Sequence, residues 1–88
     1  MASTTTESTT TEELWQRKRV YMDALNAMTG QHTALVRTNA KLSIRPSADS
    51  IAEFSTAVKR EQELEEAVVI AARDFLDYSA KYLDEHPA

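Results

Sequence analysis

Apolar residues fall at steps of three and four along two long stretches of this chain, and one short segment, Ser43-Ile44-Arg45-Pro46-Ser47, interrupts them. Steps of that size put side chains on one face of an α-helix. In the first stretch one row reads Leu14, Tyr21, Met28, Leu35 and Leu42, and an alternating row reads Lys18, Leu25, His32 and Asn39. Trp15, Met22 and Val36 lie beside this seam. The heptad pattern predicts a helix over residues 11–43 with coiled-coil-like packing. Thr10 or Thr11 supplies its cap, and Glu12 and Glu13 suit the positive end of the helix dipole.

The second stretch has a seam of Ile51, Phe54, Val58, Glu61, Glu65, Val68, Ala72, Phe75, Ser79 and Tyr82. Leu64, Val69, Ala71, Leu76 and Leu83 flank it, and Pro87 ends the pattern. A helix over residues 48–86 follows, capped by Ser47 or Ser50. Ser50-Ile51-Ala52-Glu53 has the form of a capping box. Between the helices, residues 44–47 form the turn. Pro46 disfavours the α conformation at Arg45 and cannot extend the upstream helix.

A connection this short makes the helices antiparallel neighbours. The fold class is therefore all-α, an antiparallel two-helix hairpin. Matching the seams outward from the turn brings Leu42 near Ile51, Leu35 near Val58, Leu25 near Val68 and Leu14 near Ser79. Charge agrees with the pairing. Residues 11–43 carry five basic and three acidic side chains, and residues 47–86 carry four basic and ten acidic ones. Arg17 and Arg19 are expected near Asp74 and Asp77. Gly30, with small residues around it (Ala24, Ala27, Thr29, Thr33, Ala34), marks either a close approach of the second helix or a kink.

Composition narrows the function classes. With 88 residues, 42% hydrophobic and 27% charged, the chain is one small domain and too apolar for complete disorder. One Gly and two Pro cannot supply the turns of a β-sandwich or barrel. The absence of Cys excludes disulfides, thiolate zinc sites and a cysteine nucleophile. The longest wholly apolar run, Ala67 to Ala72, is far short of the roughly 20 residues that span a bilayer. With no secretory signal pattern at the start, a cytoplasmic location and no membrane contact are expected, with export by a route that reads no cleavable signal as the alternative. Residues 1–10, seven of them Ser or Thr, are expected to form a disordered Ser/Thr-rich tail.

No catalytic constellation stands out. His32 and His86 lie far apart, most Ser residues sit in the tail or at caps, and there is no Gly-rich phosphate loop. We therefore expect no enzyme and no cofactor. The one basic cluster, Arg17-Lys18-Arg19, faces an acidic second helix, so nucleic acid is not an expected partner. His32, Glu61 and Glu65 come together in the matched register. They form either a polar layer that fixes register or, less in keeping with their spacing, a divalent-metal site.

The apolar stripe is wider than one helix–helix seam can cover. Trp15, Met22, Val36, Leu64, Val69, Leu76 and Leu83 are the expected surplus, and Trp15 is a typical interface anchor. Small scaffolds without disulfides or metals need a partner or oligomerisation. The simplest outcome is a homodimer that makes a four-helix bundle, and the alternative is another helical protein.

In outline the chain resembles the helical hairpins of type III secretion systems. Arg45-Pro46-Ser47 is similar to the Pro-Ser-containing turn of their needle subunits. Glu65-Glu66-Ala67-Val68-Val69-Ile70-Ala71-Ala72 resembles the aliphatic second helix of their cochaperones. The chain departs from the needle pattern at Ala48-Asp49, where a second turn proline would stand, and at its polar end Asp84-Glu85-His86-Pro87-Ala88. The resemblance implies a small adaptor or cochaperone that binds a larger helical protein.

Overall fold

The computed structural model describes residues 9–87. Helix α1 spans Thr11–Ile44 and helix α2 spans Ala48–Glu85. They pack as an antiparallel all-α hairpin with extents of 67 × 22 × 15 Å. Its radius of gyration is 19.7 Å, against about 12 Å for a compact domain of this length. The molecule is thus a rod, and most of its surface is lateral helix face. Neither helix is long and apolar enough to cross a membrane.

Local chemistry explains each helix end. Thr10 caps α1, its Oγ1 accepting the Glu13 amide at 3.1 Å. The helix stops at Arg45, whose φ of −139° and ψ of 81° satisfy the restriction that Pro46 imposes. Ser47 caps α2 by accepting the Ser50 amide at 3.1 Å. Ser50 is therefore not the cap expected of an S-x-x-E box. It is the third helical residue, its Oγ accepting the Ser47 amide at 2.8 Å and donating to the Arg45 carbonyl at 3.0 Å. Glu53, released from that role, reaches back across the turn to Lys41 at 2.9 Å.

The register follows the expected pairing. Arg17 meets Asp74 at 2.5 Å, His32 meets Glu61 at 2.8 Å, and the Tyr21 and Phe75 rings stack at 6.2 Å. The other predicted arginine contact does not form: Arg19 and Asp77 are exposed and carry no ion pair among the described residues.

The rows that face each other differ from those expected. On α1 the row Leu14, Tyr21, Met28, Leu35 and Leu42 is half-buried as predicted. Its alternating partner is Arg17, Ala24, Gln31 and Thr38, all half-buried, whereas Lys18, His32 and Asn39 are exposed. On α2 the row Phe54, Glu61, Val68, Phe75 and Tyr82 is likewise half-buried. Its companion is Ser50, Ala57, Leu64, Ala71 and Tyr78, while Ile51 and Glu65 of the expected seam are exposed. In heptad terms each helix uses its a and d rows, not a and e.

Size and polarity account for the choice. Ala57 and Ala71 are only 6% and 8% exposed, and they let the backbones approach closely. The Gln31 side chain crosses that gap, its Nε2 donating to the Ala57 carbonyl at 3.3 Å. Arg17 stacks its guanidinium 4.5 Å from the centre of the Tyr78 ring while bridging Glu13 and Asp74. Burial works against the Arg17 charge, but the hydrogen bond and attraction of Asp74, with Glu13 adding, hold its pKa above the ordinary value.

Gly30 does not mark a close approach. A Cβ built there meets nothing within 4 Å, and α1 runs through it without a positive φ. Its lack of a side chain only adds backbone entropy to the unfolded chain. Gly30→Ala should stabilise the hairpin by about 0.5–1 kcal/mol, read as a raised urea midpoint with unchanged slope. A lowered midpoint would show that the position is sterically constrained.

Candidate interaction surface

The a/d packing leaves one broad side of the hairpin unpaired. In an antiparallel pair, the e row of one helix borders the e row of the other on one side, and the g rows meet on the opposite side. Lys41 and Glu53 are a g-row pair, so their ion pair marks one side. The depression lined by Met28, Thr29, His32, Glu61 and Glu65 lies on the other. On that second side α1 shows Trp15, Met22 and Val36, seven or fourteen residues apart, next to the half-buried Leu25. On the same side α2 shows Val69, Leu76 and Leu83 at the same spacing, next to half-buried Val58, Ala72 and Ser79.

Six of the seven expected surface residues are exposed there, from 43% at Met22 to 66% at Leu83. The seventh, Leu64, is not surplus. It is half-buried in the d row, between Ala57 and Ala71. Sequence reasoning also missed Ile51, which sits at the turn end of the same side and is 56% exposed. Its apolar character placed it in the seam, and only the d-row packing turns it outward. Val20 and Ile70 are exposed too, but not on either of these rows. Trp15 has a cation as neighbour: Lys18 Nζ lies 5.2 Å from its ring centre.

His32 and Glu61 form the expected polar contact at the middle of this side. Glu65 lines the same depression but is exposed and makes no hydrogen bond with either. Among the described residues no group of three His, Asp or Glu side chains is placed to hold a metal ion. The d-row Gln31 and the a-row Glu61, both half-buried, make the seam polar midway along the rod.

The open end of the hairpin is tied by hydroxyls. Thr9 is buried, and its amide and Oγ1 both donate to Glu85 Oε1, at 2.6 and 2.9 Å. The Thr10 amide donates to the Tyr78 hydroxyl at 3.0 Å, and the Thr11 and Tyr82 hydroxyls share a hydrogen bond at 2.8 Å. The His86 ring stacks on Tyr82 with centroids 4.3 Å apart, and its Nε2 donates to the Thr9 carbonyl at 3.0 Å. The tail expected over residues 1–10 therefore stops short of Thr9 and Thr10, and its remaining residues 1–8 lie outside the described residues.

No protein-family model, no curated protein and no solved structure matches the chain. The surface described above is therefore interpreted from its own chemistry.

The Glu85 clasp has a defined pH dependence. The Thr9 amide bond, opposed by desolvation and helped by the Thr9 hydroxyl, Lys81 and His86, holds the Glu85 carboxyl below its ordinary value of 4.5. A lowered pKa means that its contribution is complete above that value and is lost as pH falls through the lowered one. Hydrogen-exchange protection of the Thr9 amide should be lost as acidification carries pH through the lowered Glu85 value, below 4.5, and be weak at every pH in Glu85→Gln. Protection unchanged across the whole carboxyl titration would contradict the clasp.

Proposed function

We propose that this chain is a non-catalytic helical assembly protein of the cytoplasm, which acts by packing its Trp15–Leu83 side against a second copy to complete a four-helix bundle. The observation that carries the reading is apolar surface that the hairpin leaves uncovered. The apolar a rows and the mixed d rows (Arg17, Gln31, Thr38, Ser50, Ala57, Ala71) turn inward, yet Trp15, Met22, Val36, Val69, Leu76 and Leu83 still turn outward. Among the described residues no large side chain is fully buried in the single hairpin. Burial of a Leu, Val or Met contributes about 1.5–3 kcal/mol, so covering the outward residues would add substantially to what the half-buried inner rows supply.

The dimensions suit such an interface. One lateral side of a 67 × 22 Å rod offers more than the roughly 800 Å² per partner of a standard stable complex. Apolar patches of this extent on a small domain mark interaction sites. An edge of polar residues, Lys18, His32, Asn39, Glu65 and Ser79, runs among the apolar ones and supplies register.

Sedimentation equilibrium across a wide concentration range tests the reading. The expected result is a dimer that Leu76→Glu weakens by about 2–3 kcal/mol, roughly 30- to 150-fold in Kd, with helicity retained. A well-folded monomer at all concentrations would contradict it. A monomer that aggregates would favour the alternative occupant, the helical surface of a larger protein.

A further inference from the structure

The homodimer reading, on which this inference rests, leaves two symmetric ways to place the copies face to face. A two-fold axis along the rod puts both turns at one end and sets α1 against α2 of the partner. An axis across the rod puts the turns at opposite ends and sets each helix against its own copy. We propose that the first holds: the hairpins pair with their turns together.

The asymmetry of the apolar rows decides between them. Trp15, Met22, Val69, Leu76 and Leu83 all lie in the half of the rod away from the turn, and only Val36 and Ile51 lie in the other half. With the turns together, each layer meets the same layer of the second copy. The register then brings Trp15 level with the second copy's Leu76, Met22 level with Val69, and Thr29 level with Gln62. Apolar meets apolar in the Trp15 and Met22 layers, polar meets polar at Thr29, Val36 meets Ser55, and the His32 layer meets the acidic Glu61 and Glu65 of the other α2. The whole 67 Å length is used.

The crossed arrangement matches fewer of these residues. Centred on the middle of the rod, it pairs Met22 with Val36 but sets Trp15 against Ser43 and Val69 against Ser55. Shifted so that Trp15 meets Met22, it overlaps only the open ends, about 25 Å at 1.5 Å per residue, and leaves the turn half unpaired. Charge points the same way. α1 carries five basic and three acidic side chains, and α2 carries four basic and ten acidic. The turns-together dimer alternates these helices around the bundle, whereas the crossed dimer stacks the two acidic helices on each other.

A single nitroxide label at Arg45→Cys reads the orientation, because the chain has no other cysteine and Arg45 is exposed at the turn. Electron–electron distance measurement should give about 20–30 Å between labels in the dimer, the cross-section of four helices about 10 Å wide. A sharp distance beyond about 50 Å in a sample whose mass is dimeric would overturn the orientation and leave self-association standing. A monomeric mass for the labelled and unlabelled chains alike would overturn both.

Discussion

The close approach of the helices along Ser50, Ala57 and Ala71 is the constraint on which the rest depends. Side chains this small admit a neighbouring backbone, and the neighbour's larger residues then sit level with them: Tyr21 with Ala71, Leu35 with Ala57, Leu42 with Ser50. Ser50 is only 3% exposed because its hydroxyl is spent on the turn, bonded to Ser47 and Arg45. One residue thus joins the geometry of the turn to the row that closes the hairpin. Once that row faces inward, helical periodicity obliges the e and b rows to face out, whatever their polarity.

Polar groups fix the register of this arrangement. Arg17 lies on the Tyr78 ring between two carboxylates, Gln31 bonds the opposite backbone, His32 meets Glu61, and Lys41 meets Glu53. Each exposed or half-exposed pair contributes about 0–1 kcal/mol, so together they specify register better than they stabilise the fold. The hydroxyl clasp at the open end does the same for the chain ends, joining Thr9 to Glu85 and His86. Alignment comes from inside the hairpin, and a further hydrophobic term is left on the side turned away from it.

Much of this was legible in the residues. Pro46 and the hydroxyl caps fix two helices and their turn, and the charge contrast together with matched seams yields a register that the Arg17–Asp74 and His32–Glu61 contacts follow. The choice of row was not legible. Hydrophobicity ranks Ile51, Val58 and Leu25 above Ser50, Ala57 and Ala24, so a pattern reading puts the e rows inside. Packing of one helix on one other rewards small size at the closest approach, which a count of apolar residues cannot register. The same error hid Ile51 as a surface residue and misplaced Leu64 as one. Gly30 misled for a related reason: small residues signal a close approach only when they fall on the facing row, and Gly30 falls on the solvent side.

The most direct test of the account is the urea midpoint measured at protein concentrations spanning two decades. If the apolar side is completed by a second copy, unfolding is coupled to dissociation, and the midpoint rises steadily with concentration. A midpoint that stays constant over the whole range, with full helicity at its low end, would mean that the hairpin is stable alone and that its outward apolar rows do not close on another copy.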